Sequence, residues 1–188
     1  MTDEEKLDFQ KEIDHALTIE DDRQQYEYVY DAICSFLDKK FVENNYCGFG
    51  DDNKCFVNRE GLGVNPEMGC CYSFRLDAFM SMRDKQLCKH LGDKCCNTKC
   101  ITCKLYTCKH LEHKGVSFNI NDFKGIKKIF TKKQIRVLKY NAFKSKEEII
   151  DRVIEVKNSK MPYFLFCLLY LEKVQYKGEV SEKENITS

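Results

Sequence analysis

Surplus charge, long apolar runs and export signals are all scarce in this chain. Its 31 basic residues stand against 30 acidic ones, a formal net charge of +1. Whole-chain charge therefore points to no polyanionic partner. The longest apolar run, Met161 to Leu171, is interrupted by Pro162. It is far shorter than the roughly 20 residues needed to cross about 30 Å of hydrocarbon, so no membrane partner is expected. The opening stretch, MTDEEKLDFQKEIDHAL, is acidic and amphipathic. It has neither the basic nor the apolar region of a secretory leader. Walker A and GxGxxG loops are missing, and Gly61-Leu62-Gly63 reads only as a turn. No nucleophile motif frames a reactive cysteine, which argues against a cysteine hydrolase or transferase. Whether the protein is an enzyme stays open at this point.

Cysteine, by contrast, is plentiful: there are 12. The expected compartment is the cytoplasm, where thiols stay reduced. Clustered cysteines there are metal ligands or catalytic groups more often than a disulfide frame. Six lie between Cys88 and Leu111, in a segment that opens and closes on CKHL. Cys70 and Cys71 are adjacent upstream, and Cys47 and Cys55 precede them.

The gaps fit metal chemistry. Zinc takes four ligands in a tetrahedron, and thiolate pairs two to four residues apart form the usual knuckle. Cys100 and Cys103 are such a pair, Cys96 and Cys100 another, and Cys108 follows Cys103 after four residues. Iron–sulfur clusters use the same thiolates, and Cys95, Cys100 and Cys103 reproduce the plant-type ferredoxin spacing. Neighbouring side chains in extended chain point to opposite sides. The pairs Cys70-Cys71 and Cys95-Cys96 therefore serve two sites, or one site and one other role. The candidate ligands are Cys47, Cys55, Cys70, Cys71, Cys88, Cys95, Cys96, Cys100, Cys103 and Cys108. The cofactor expected is an iron–sulfur cluster, with a 4Fe–4S cluster among the options, or zinc. Cys34 and Cys167 are expected in the core. His90 and His110, each two residues after a cysteine, read as packed or solvated beside the site, with ligation through imidazole as the alternative.

Around these cysteines the chain reads as helical. Leu7, Phe9, Ile13, Ala16 and Leu17 form a stripe over residues 3–17. Tyr26, Tyr30, Ile33, Leu37 and Phe41 share one face of a second helix, from about Ile19 to Asn44. Asp21 and Asp22 near its start and Lys39 and Lys40 near its end suit the helix dipole. From Asn45 to Gly69 periodicity is lost among Gly48, Gly50, Gly61, Gly63 and Pro66. Cys71 to Leu87 reads as a short helix, and the segment after it as irregular. Thr131 to Gln134 and Ser145 to Glu148 fit capping boxes. A last helix opens at Met161-Pro162, and its apolar run Phe164 to Leu171 is expected at the centre of the core. The fold expected is mainly α: a helical body with an irregular cysteine-rich metal-binding insertion. The organisation is one domain over 1–188, with N-terminal helices over 1–44, a metal lobe over 45–118, C-terminal helices over 119–176 and a flexible tail over 177–188.

Three stretches together carry a resemblance: Gly69-Cys70-Cys71, Cys88-Lys89-His90-Leu91, and Cys103-Lys104-Leu105-Tyr106 running on to Cys108. They resemble the bacterial cysteine-cluster family described as zinc- or iron-chelating, whose module also occurs in flagellin lysine N-methylases. The resemblance covers roughly residues 47–115 and implies metal. Here the upstream cysteine pair is farther from the double cysteine than in the family pattern. Tyr106-Thr107 stands where the family has Arg-Pro.

One further feature bears on partners. From Lys124 to Lys146 there are nine basic residues and no acidic one, with Phe130, Tyr140 and Phe143 interleaved. Such a stretch can neutralise phosphates. Two readings follow: a cysteine-ligated metal protein, acting in redox or on a substrate with an unidentified redox or protein partner, or a zinc-stabilised module that meets nucleic acid or protein through residues 124–146.

Overall fold

The structure is a computed structural model that describes residues 1–51, 96–107, 109–141, 144–162 and 164–165. Over those residues the chain is mainly helical and contains no strand. The elements are α1 (Asp3–Ala16), α2 (Asp22–Glu43), α3 (Ile101–Leu105), α4 (Lys109–His113), a 3-10 turn (Ile120–Asp122), α5 (Ile126–Ile129), α6 (Lys132–Lys139) and α7 (Lys146–Asn158).

Local sequence explains where these helices begin. Thr2, Thr131 and Ser145 each close a capping box, with Glu5, Gln134 and Glu148 reaching back to the cap amide. Each box satisfies two amides that the first turn would otherwise orphan. Asp21 caps α2 through Gln24 N at 2.8 Å, and Asn44 ends it. A tighter requirement falls on Gly125, whose φ is +87°. A Cβ there would stand 3.0 Å from Gln10 Oε1 and Ile13 Cγ2, so only glycine lets α5 approach α1 this closely.

Helix α2 is the axis of the packing. Tyr26, Tyr30, Ile33 and Leu37 are buried as their spacing predicts, and Val29 and Cys34 join them. Helix α1 packs on α2 through Phe9, Ile13 and Ala16. Of its predicted stripe, Leu7 and Leu17 lie in solvent instead. Phe9, Phe36 and Phe123 meet edge-on, with ring centroids 4.7 Å apart for Phe9–Phe123 and 5.6 Å for Phe36–Phe123. Helices α6 and α7 form a hairpin, and α7 runs antiparallel to α2. Ion pairs mark that register. Lys157 meets Asp22 at 2.5 Å, Arg23 meets Asp151, and Lys146 meets Asp31 at 2.6 Å.

Two expectations change. The segment around Cys100 is expected to be irregular and part of the metal lobe. Residues 101–105 are instead a helical turn that packs against both α2 and α6. Cys100, Ile101 and Leu105 belong to the main hydrophobic core. The physical reason is that Ile101 and Leu105 stand four apart, which puts both apolar side chains on one helical face. The other change concerns Phe164 to Leu171, predicted as the centre of the core. Its two described residues, Phe164 and Leu165, are 70% and 47% exposed. Around α2 the core is filled by α1, α3, α5, α6 and α7. The remainder of that run, the predicted helix over 71–87 and the tail all lie outside the described residues. No helix among the described residues is long and apolar enough to cross a membrane.

Candidate metal centre

Of the ten candidate ligands, Cys47, Cys96, Cys100 and Cys103 are described, while Cys55, Cys70, Cys71, Cys88, Cys95 and Cys108 lie outside, as does Cys167. The described four do not gather in one place. Cys47 is half-buried in the turn after α2, and Cys96 is exposed. Cys100 and Cys103 come together. Cys100 is the cap residue of α3, and Cys103 lies within its single turn.

The surroundings of Cys100 are closely specified. Its sulfur is buried, the residue being 2% exposed. The Cys103 side chain hydrogen-bonds to it, and the backbone amides of Cys103, Lys144 and Thr102 point at the same sulfur. Burial opposes ionisation, but these donors outweigh it and hold the thiol well below the usual range, the Cys103 contact contributing most. On another side the Cys100 thiol stands 3.1 Å from the Asn141 carbonyl, to which it donates. A bare thiolate would face that oxygen unfavourably. The sulfur thus carries a proton toward that carbonyl.

Three elements hold the pair in place. The Tyr30 hydroxyl, from α2, donates to Lys99 O at 2.7 Å and accepts from Ile101 N at 2.9 Å. Thr102 Oγ1 donates to Leu138 O at 2.7 Å, an orphan carbonyl at the end of α6. It also accepts from Asn141 N at 3.2 Å. Thr98 Oγ1 accepts from Cys100 N at 3.1 Å. Burial raises the Tyr30 phenol far above its usual range, so this residue serves as a neutral donor and acceptor.

Cys34 occupies a different niche. It is buried as expected and points at Lys99 O, 3.9 Å away. Burial pushes its thiol up to about 12, against an opposing pull from Lys104. The Lys104 side chain is 4% exposed and paired with Asp38, which satisfies an otherwise costly buried ammonium. Cys34 is therefore a packed thiol whose ionisation burial opposes, whereas the donors around Cys100 favour its ionisation.

Taken in series, Cys96, Cys100 and Cys103 have gaps of three and two residues. This is the CxxxCxxC spacing of radical S-adenosylmethionine enzymes, and it corrects the expectation that the chain lacks that signature. The three sulfurs do not converge. Among the described residues, no three His, Cys, Asp or Glu side chains gather to hold an ion. Beside α3, a cleft of about 310 Å³ is lined by Thr102, Tyr106, Phe118, Lys139 and Tyr140 among others. Neither Cys100 nor Cys103 lines it.

The basic segment is partly spent inside the fold. Lys128 pairs with Asp14 at 3.4 Å, Lys144 with Glu148 at 3.2 Å, and Lys146 with Asp31 at 2.6 Å. Lys133 Nζ donates to Met161 O at 3.1 Å. Lys124, Lys127, Lys132 and Arg136 are exposed and Lys139 is half-buried, while Phe130 is buried in the core against Tyr26.

Comparison with known families, with curated proteins and with solved structures finds no match to the chain.

Proposed function

We propose that this is a metal-binding protein whose centre is ligated by cysteine thiolates, with Cys100 and Cys103 as one ligand pair. The remaining ligands come from the other candidates, Cys47, Cys55, Cys70, Cys71, Cys88, Cys95, Cys96 and Cys108. The metal is an iron–sulfur cluster or zinc. The observation that carries this reading is the Cys100 sulfur, buried at the start of α3 with Cys103 in the same turn, in surroundings that favour its ionisation. Such surroundings stabilise a thiolate, the form that binds metal. The Asn141 carbonyl at 3.1 Å accepts from the same sulfur while it is protonated, and metal binding would displace that proton. Orientation by Tyr30 and Thr102 gives the pair the surrounding hydrogen bonds that tune a metal ligand.

Anaerobic purification with metal and sulfide analysis tests the reading. Stoichiometric iron and sulfide with broad absorbance near about 400 nm identify a cluster. A colourless protein with stoichiometric zinc identifies the simpler site. A protein with neither metal, and its Cys100 region equally well ordered, overturns the proposal.

A further inference from the structure

The two thiols of the pair differ in access. Cys100 is enclosed, whereas Cys103 is half-buried and in contact with it. We propose that Cys103 is a thiol-modification site: it is the entry point for a low-molecular-weight disulfide, and Cys100 is the resolving thiol that closes a Cys100–Cys103 disulfide.

The geometry sets this order. Thiol–disulfide exchange depends on access as well as on thiolate character. Burial of Cys100 behind the α6–α7 connection leaves no approach for a bulky disulfide. Cys103 offers one, and its sulfur lies against the Cys100 sulfur, where the second attack must come from. The order is the reverse of what thiol acidity alone would choose.

The chemistry balances. Cys103 passes its proton to the Cys100 sulfur it contacts, and the resulting Cys103 thiolate attacks one sulfur of the disulfide, forming a Cys103 mixed disulfide and expelling one thiolate. Cys100 then attacks the Cys103 sulfur, forming the intramolecular bond and expelling the second thiolate. The proton of Cys100 passes to solvent or to that leaving group. Two protein thiols are oxidised and one disulfide is reduced to two thiols. Residues three apart in one helical turn, as Cys100 and Cys103 are, have a Cα spacing that a disulfide accepts. The pair is the one assigned to metal above, so the disulfide and the metal are alternative occupants, but the order of attack does not depend on the metal.

The test uses the full chain, purified anaerobically, with metal content measured first and oxidised glutathione as the probe. Samples are acid-quenched over time and mapped by peptide mass spectrometry. In the unmodified protein, the glutathione adduct at Cys103 precedes the Cys100–Cys103 disulfide. In Cys100→Ser the Cys103 adduct accumulates. In Cys103→Ser, adduct formation at Cys100 is at least tenfold slower than at Cys103 in the unmodified protein. An adduct appearing first at Cys100, or no Cys100–Cys103 disulfide at any time, overturns the proposal. The time course on the unmodified protein decides the matter even if a variant fails to fold. If the metal assay is negative, the metal reading fails and the order of attack is still judged on its own. If metal is present, its loss in step with the disulfide shows that the two compete, and full retention at complete disulfide formation refutes that competition.

Discussion

The Tyr30 hydroxyl accepts the Ile101 amide at 2.9 Å while donating to the Lys99 carbonyl at 2.7 Å, so one α2 side chain clamps both sides of Cys100. Tyr30→Phe removes the clamp without changing shape. It leaves the buried Ile101 amide unmade, which costs about 1–3 kcal/mol. The expected result is a lower urea midpoint with unchanged slope, together with faster thiol labelling at Cys100. An unchanged midpoint would show that the clamp contributes nothing.

Thr102→Val tests the second anchor. The Thr102 hydroxyl serves both the Leu138 carbonyl and the Asn141 amide. Valine keeps the volume and strands both groups, for an expected loss on the order of 2–4 kcal/mol. Because Asn141 also carries the carbonyl facing Cys100, metal affinity should fall together with stability. Thr102→Ser keeps the hydroxyl and should recover most of both. Equal losses in the two variants would mean that packing matters here and the hydroxyl does not.

Ligand and core cysteines should separate by metal content. Cys100→Ser and Cys103→Ser are each expected to reduce bound metal by half or more. Cys34→Ser, at a site whose thiol stays protonated, should leave metal content intact while lowering stability. Elemental analysis of the three purified variants checks this. The same metal loss in all three would erase the distinction drawn between the two niches.

Alkaline pH should destabilise the fold through Cys34. Its folded value, about 12, lies above its ordinary value of 9.0. Stability from this group is therefore complete below about pH 9 and is lost as pH rises toward 12, at up to about 1.4 kcal/mol per unit. Tyr30 acts in the same direction, from its own higher starting point. Cys100 acts oppositely: its depressed value adds stability above the ordinary thiol range, and that stability is lost as pH falls through the folded value. Urea denaturation with chelator present, from pH 8 to about 11, should show a shallower decline for Cys34→Ala than for the unmodified protein. Parallel curves would remove Cys34 as the cause.

Helix positions could be read from the chain because they depend on close neighbours. The capping boxes at Thr131 and Ser145 and the stop at Asn44 involve partners within four residues. The stripe on α2 was equally legible, since a period of 3.6 residues is a local property. Leu7 and Leu17 show where this kind of reading fails: periodicity names a face, but only a packing partner buries it.

The cysteines divide along the same line. Composition alone determined that thiols are dense and that Cys100 and Cys103 have the spacing of a ligand pair. Only the tertiary structure decided that the buried Cys34 faces Lys99, 65 residues away, and that Cys100 meets Asn141, 41 residues away. A thiol's chemistry is set by what surrounds its sulfur. For Cys100 part of that surrounding is delivered by the α6–α7 connection, a part of the chain whose local sequence carries no mark of the task.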